Sequence, residues 1–257
     1  MKQKTMCKQQ AFTRIELIVV ILILLFFVMA AFLIPRFGKA TTWSAGVDRI
    51  SCVNNLKEIG TAYRLWAGDN GDRTPAEQTV AKGGWGDFLA NADQGAICWT
   101  NYIIMQNELG QSPKLVLCPE DERQAAFNFT NGFDNTHVSY FVGVSANDAH
   151  PQSVQGGDRN LGPGTKPDPD YGFSPKGGKG NDLAIPTNSL ASPVSWSLRM
   201  HSGGKRTGAG NILLADGSAQ QTTSANFRQT WLSHAEPTTN WPAGHIPASP
   251  SIRLIFP

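Results

Sequence analysis

Phe12-Thr13-Arg14-Ile15-Glu16 runs without a break into the uncharged stretch Leu17 to Ile34. That stretch is about 18 residues, roughly 27 Å of helix, and with its flanks it reaches across a bilayer. It is rich in β-branched residues (Ile18, Val19, Val20, Ile21, Ile23, Val28). In lipid a backbone must close its own hydrogen bonds, so a helix is expected. Lys2, Lys4 and Lys8 precede it with no acidic residue, which keeps the N-terminus cytoplasmic and places everything after about Lys39 outside. Glu16 is the anomaly. A carboxylate just inside an apolar helix costs on the order of 2–3 kcal/mol, so it marks a function and calls for a partner.

Three readings compete for this segment. A secretory signal peptide has the charged start, and Val28-Met29-Ala30 offers a small-residue cleavage site that would leave Ala31 first. Its apolar run is long for that class, and Glu16 is unexpected there. A plain single-span anchor explains length and orientation but not Glu16. The third reading rests on Ala11-Phe12-Thr13-Arg14-Ile15-Glu16-Leu17, which resembles the processing motif of type IV pilin-like proteins and type II secretion pseudopilins. The resemblance implies that a prepilin peptidase cuts between Ala11 and Phe12 and methylates the new Phe12 amine. It also implies that Glu16 meets the terminal amine of a neighbouring copy in a filament. Ala11 stands where Gly is usual and Arg14 where Leu is typical; Arg14 can also pair with Glu16 locally.

The exported part supports the same likeness. Ile50-Ser51-Cys52-Val53-Asn54-Asn55-Leu56-Lys57-Glu58-Ile59-Gly60, Leu117-Cys118-Pro119, Val138 to Gly143 and Gly157-Asp158-Arg159-Asn160 resemble recurring blocks of large planctomycete and verrucomicrobial prepilin-type proteins. His201, Asn211 and Asp216-Gly217 resemble the His-to-Asp-Gly motif of that group, although fourteen residues intervene here where nine are usual. The implied fold is α+β and pilin-like: a long N-terminal transmembrane helix packed on an antiparallel sheet head with long Gly/Pro-rich loops. The implied boundaries are a leader at 1–11, a transmembrane part at 12–36 and a head at 37–257. The implied placement is the bacterial inner membrane, single-pass, with the head periplasmic or in cell-surface filaments. The implied partners are other pilin-like subunits including itself, prepilin peptidase, the secretion or pilus machinery and membrane lipid.

Loss of the leader removes three lysines and leaves 19 basic against 20 acidic side chains, so no basic field remains for nucleic acid. Cys7 goes too, leaving Cys52, Cys98 and Cys118. One bridge with a spare thiol is open to three pairings, with Cys52 and Cys118 the candidate pair; three buried, reduced cysteines is an equal alternative.

Cys52, Leu56, Ile59, Tyr63 and Trp66 step by four and three, predicting a helix over Val47–Trp66 with one apolar face. Pro35 and Gly38 are expected to loosen it from the segment before. A short helix is expected over Trp99–Leu109, and strands over Lys114–Cys118, His137–Ser145 and Val194–Met200. Residues 146–193, dense in Gly, Pro, Asp and Asn, read as loop with a short strand at Ser153–Gly156. Asp216-Gly217 between apolar runs predicts a type I′ hairpin over 211–220. Ser224 is expected to cap a helix to Leu232, and Ile252–Phe256 to add an edge strand.

No site for chemistry stands out. Gly-x-Ser-x-Gly, the phosphate-binding Gly-x-x-x-x-Gly-Lys and His-Glu-x-x-His are all absent from the sequence, so no enzyme, cofactor or metal is expected. His201 and Asp216 read first as a strand end and a turn, with cation binding by them and Asn211 the lesser alternative. Asp69, Asn70 and Asp72 faintly suggest a calcium loop, but Glu77 comes too early to complete it. Most of the seven tryptophans are expected in the core. A few exposed ones would suit a carbohydrate platform, and the second function class is accordingly an anchored binding protein that does not polymerise.

Overall fold

The computed structural model describes residues 13–33, 41–90, 97–174, 176–188, 193–202, 207–239, 241–242 and 246–257, without side chains at 30–33, 41–47 and 202. The leader, the Ala11-Phe12 junction, Pro35, Gly38 and the Trp43 side chain lie outside the described residues. The chain divides into two units, Met1–Ser44 and Ala45–Pro257.

In the first unit, α1 spans Arg14–Leu33. Its start is explained by a reciprocal cap. The Thr13 amide and hydroxyl donate to Glu16 Oε2 at 2.8 and 2.9 Å, and the Glu16 amide donates back to Thr13 Oγ1 at 3.4 Å. This is the Thr-x-x-Glu capping box, in which two otherwise orphaned helix amides find acceptors. Glu16 thus has a local partner, and it is Thr13. The apolar side chains from Ile15 to Met29 are all exposed, from 45% at Val20 to 74% at Ile15.

Two expectations are corrected here. With charges at Arg14 and Glu16, the uncharged part of α1, Leu17 to Leu33, rises about 25 Å against a hydrocarbon core of about 30 Å. Among the described residues no helix is long and apolar enough to cross a membrane. The single-pass inner-membrane placement and the transmembrane helix packed on the sheet therefore both fall. The described fold is mainly an antiparallel sheet with helices around it.

Helix α2 (Thr41–Asp69) belongs to the second unit from Ala45 on and buries Cys52, Leu56, Ile59, Tyr63 and Trp66, each at most 5% exposed. Asn54, Lys57, Glu58, Thr61 and Arg64 are exposed. The helix ends where Gly71 and Asp72 take positive φ and the Asn70 side-chain amide donates to the Trp66 carbonyl at 2.7 Å. Asn70 is thus a helix terminator, its side-chain amide spent on the last turn. After α3 (Cys98–Ile104) come β1 (Tyr140–Gly143), β2 (Val154–Asp158), β3 (Leu161–Pro163), β4 (Asn181–Pro186), β5 (Val194–Trp196), β6 (Ala209–Leu214) and β7 (Ala219–Thr223). Next are α4 (Ser224–Asn226), running on as a π-helical turn to Leu232, and β8 (Ser251–Phe256).

Among the described residues, six strands form one sheet in the order β4-β8-β1-β2-β6-β7, and β3 pairs with β5 separately; each of these pairings is antiparallel. Side chains alternate along a strand, and here both faces are covered. Tyr140, Val142, Leu213 and Ile255 pack with α2 and α3. Phe141, Ile212, Leu214, Leu254 and Phe256 pack with Leu161, Trp196, Phe227 and Leu232. Trp85 and Trp196 are fully buried, with Trp66 and Trp231 at most 7% exposed.

Several local expectations change. The strand expected at Lys114–Cys118 is a 3-10 helix, Pro113–Val116, because proline at the first position presets a helical φ. The stretch 146–193, expected as loop apart from a short strand at Ser153–Gly156, supplies β3 and β4 as well as β2 at Val154–Asp158. Val194–Met200 stops as a strand at Trp196. Ile252–Phe256 is no edge; β8 lies between β4 and β1. The hairpin turn carries positive φ at Gly217 (+77°) but not at Asp216. The Gly217 amide donates to Leu214 O and the Leu214 amide to Ser218 O, both at 2.9 Å, so this is a three-residue loop with a glycine bulge. Thr223, not Ser224, caps α4, accepting from the Asn226 amide at 3.2 Å. A Cβ on Gly217 would meet the Arg64 guanidinium at 2.4 Å, and one on Gly60 the Leu213 side chain at 2.8 Å. Glycine at both positions lets α2 lie against this hairpin.

Candidate functional site

Cys52, on the buried face of α2, and Cys118, just past the 3-10 turn, form a disulfide with Cα atoms 5.2 Å apart across 66 residues. Closing a loop of that size in the unfolded chain is worth about 4 kcal/mol in the chain-entropy account. Cys98 is the buried free thiol; it donates to Tyr140 O at 3.3 Å, and burial pushes its pKa up.

His201 stands against this bridge. Its 3-10 turn, Met200–Ser202, is entered through Met200 in the left-handed region (φ 59°). Asn160 Nδ2 holds the segment by donating to Arg199 O and Ala209 O at 2.9 and 3.1 Å. The imidazole Nε2 lies 3.4 Å from Cys118 Sγ and 3.2 Å from Asp158 Oδ2, while Nδ1 is 3.7 Å from Glu120 Oε2. Burial opposes charge on this ring, but Asp158 and then Glu120 outweigh it, and the His201 pKa is raised. Asp158 Oδ2 also accepts from the Asn211 amide at 2.6 Å.

A second ion pair adjoins the first. Arg159 grips Asp121 with two nitrogens, Nε to Oδ2 at 2.6 Å and Nη2 to Oδ1 at 2.7 Å, and both side chains are wholly buried. Ser139 Oγ adds 2.7 Å to Asp121 Oδ2, Ser174 O accepts from Arg159 Nη1 at 2.8 Å, and the guanidinium lies 3.5 Å over the Tyr171 ring. Burial raises the Asp121 pKa, but the hydrogen bonds and charge of Arg159 more than offset it, so the carboxyl is held below its usual range. Such bidentate, charge-assisted bonds are the strong kind.

Of the residues singled out in the sequence, Cys52, Cys118, His201 and Asn211 come together here, while Asp216 and Gly217 do not join them. Asp216 Oδ1 accepts from the Ser218 amide at 2.8 Å, a turn-setting role. Glu16 belongs to the other unit. The sequence reading missed Glu120, Asp121, Asp158 and Arg159 as a centre. Two charged residues inside Gly-Gly-Asp-Arg-Asn, next to a strand, were the available signal, because a charge there is exposed at a turn or buried with a partner. No family model, curated protein or solved structure matches the chain.

Proposed function

We propose that the chain is a pilin-like structural subunit of a type II secretion or type IV pilus-like filament, cut between Ala11 and Phe12. The observation that carries this reading is α1, a helix apolar on all its sides and exposed along its described side chains, opening on Glu16. A surface of that kind asks for cover, and side-by-side packing of the same helix from other copies supplies it. Glu16 would give up its bonds to Thr13 in exchange for the neighbour's N-terminal amine, a stronger charge-assisted contact. The head then carries lineage-specific contacts on a scaffold locked by the bridge and the buried ion pairs. N-terminal mass spectrometry of the protein from cells tests processing: Phe12 as first residue supports the reading, Ala31 refutes it. Sheared cells should release high-mass filaments containing the chain.

One observation favours a second reading, a binding head that does not polymerise. An open groove of about 910 Å³ is lined by Arg73, Glu77, Asp87, His150, Glu236 and Trp241. An aromatic ring among carboxylates and amides suits a polysaccharide. Glycan binding with no filament would reverse the ranking.

A further inference from the structure

The surroundings of the buried bridge fit a ligand other than a disulfide. One ligand atom each from Cys52, Cys118 and His201 lies within 4.8 Å of the others, and Asp158 Oδ2 is 3.2 Å from the same imidazole nitrogen that is 3.4 Å from Cys118 Sγ. In a tetrahedral site with metal bonds of about 2.05 Å to nitrogen and about 2.3 Å to sulfur, the N···S edge is about 3.6 Å. That edge is already nearly present. The S···S edge should be about 3.8 Å, which the covalent bridge forbids and its reduction permits.

Two further observations point the same way. Among the described residues, Asp158 Oδ1, Asn211 Oδ1 and His201 Nδ1 are buried without a hydrogen-bond partner, which is costly for a carboxylate oxygen unless something else satisfies it. Nδ1 also faces the Glu120 carboxylate at 3.7 Å, the outer arrangement that orients metal-binding imidazoles.

We propose that with the bridge reduced this cluster binds one zinc-like divalent ion through Cys52 Sγ, Cys118 Sγ and His201 Nε2, with Asp158 beside that nitrogen at 3.2 Å positioning the imidazole. Two sulfurs and an imidazole select a borderline-soft ion over magnesium or calcium. A dithiol reductant supplies two electrons and two protons, splitting the S–S bond into two thiols while itself closing to a disulfide. The ion then displaces both thiol protons to solvent as the two S–metal bonds form. Disulfide and metal are alternative locks on the same elements, chosen by the redox state in which the chain folds. Because Cys52, Cys118 and Asp158 are fully buried, the ion enters during folding.

The test uses the full chain, unfolded in denaturant with a phosphine reductant and refolded with cobalt(II) as probe. The expected result is one cobalt per chain, with thiolate-to-cobalt charge transfer and tetrahedral visible bands, displaced by zinc. The oxidised chain should take up none. Asp158→Asn and His201→Gln should each weaken binding by about tenfold or more. A folded, reduced chain without cobalt overturns the proposal. So does uptake undiminished in both variants, or equal uptake by the oxidised chain. If the reduced chain refolds poorly alone, the yields with and without zinc decide the matter, and equal yields overturn it.

Discussion

Two helices of this protein solve opposite problems. Helix α2 carries apolar residues on one stripe, and Cys52, Leu56, Ile59, Tyr63 and Trp66 are all buried while Lys57, Glu58 and Arg64 face out. Helix α1 is apolar on every side, and its side chains from Ile15 to Met29 are exposed. A stripe can be covered by one sheet; a helix apolar all round needs neighbours on all sides. The contrast teaches that the stripe of α2 is covered within its own unit, whereas the described side chains of α1 are left uncovered, the surface that the proposed filament packing would bury. Buried locks reinforce the head: a disulfide, the Arg159–Asp121 pair, and Arg253, whose guanidinium grips Asp182 with contacts of 2.5–3.1 Å. In α1 the corresponding polar feature is a capping box at its first turn.

The sharpest way to break this comparison is Glu16→Ala. Filament recovery from sheared cells should fall to background while the head's thermal midpoint stays put. Normal filaments would end the assembly role, and a destabilised head would deny that the two units are independent. Next in size is the head's own polar centre. Asp121→Asn leaves a buried guanidinium without its counter-charge and should cost about 3–5 kcal/mol in urea unfolding. Asp121→Asn combined with Arg159→Met should cost less than the single change. Reducing Cys52–Cys118 without metal should cost about 2–5 kcal/mol by the same assay, with no change in α1.

Acid sharpens the comparison further. The Asp121 carboxyl is depressed in the folded chain, so its contribution is complete above the unfolded value of about 3.9. It is lost as pH falls through the lower folded value. Urea midpoints should therefore drop below about pH 4, and Asp121→Asn should flatten that drop. The smallest effect is Gly217→Ala, where a left-handed φ and the Arg64 contact should together cost about 1–2 kcal/mol. A neutral result would mean that α2 and the β6–β7 hairpin can part without loss.

Legibility in the sequence followed the range of the interactions. The α2 face could be read because its periodicity is local, and the 211–220 hairpin because Asp216-Gly217 punctuates two runs. Strand β4, Asn181–Pro186, could not. It sits in a Gly- and Pro-rich stretch with no alternation, and it is a strand because β8, some 70 residues on, supplies its partners in register from Asn181↔Phe256 to Pro186↔Ser251. The site divided similarly. His201, Asn211, Cys52 and Cys118 were visible as residue types that do chemistry. Asp216, near in sequence and sharing a motif, was only the lesser candidate for a carboxylate beside His201, behind its reading as a turn residue. Sheet pairing brings Asp158 instead.

By itself the sequence determined an apolar N-terminal helix opening on Thr13 and Glu16, an amphipathic second helix, and a turn at Asp216-Gly217. Each follows from side-chain period or local backbone preference within a few residues. Only the tertiary structure decided which cysteines pair, which carboxylate meets His201, that β8 is interior, and that Asp121, Asp158 and Arg159 are buried. Those outcomes depend on register between strands and segments distant along the chain, and burial of a charge is decided by whether a partner arrives there.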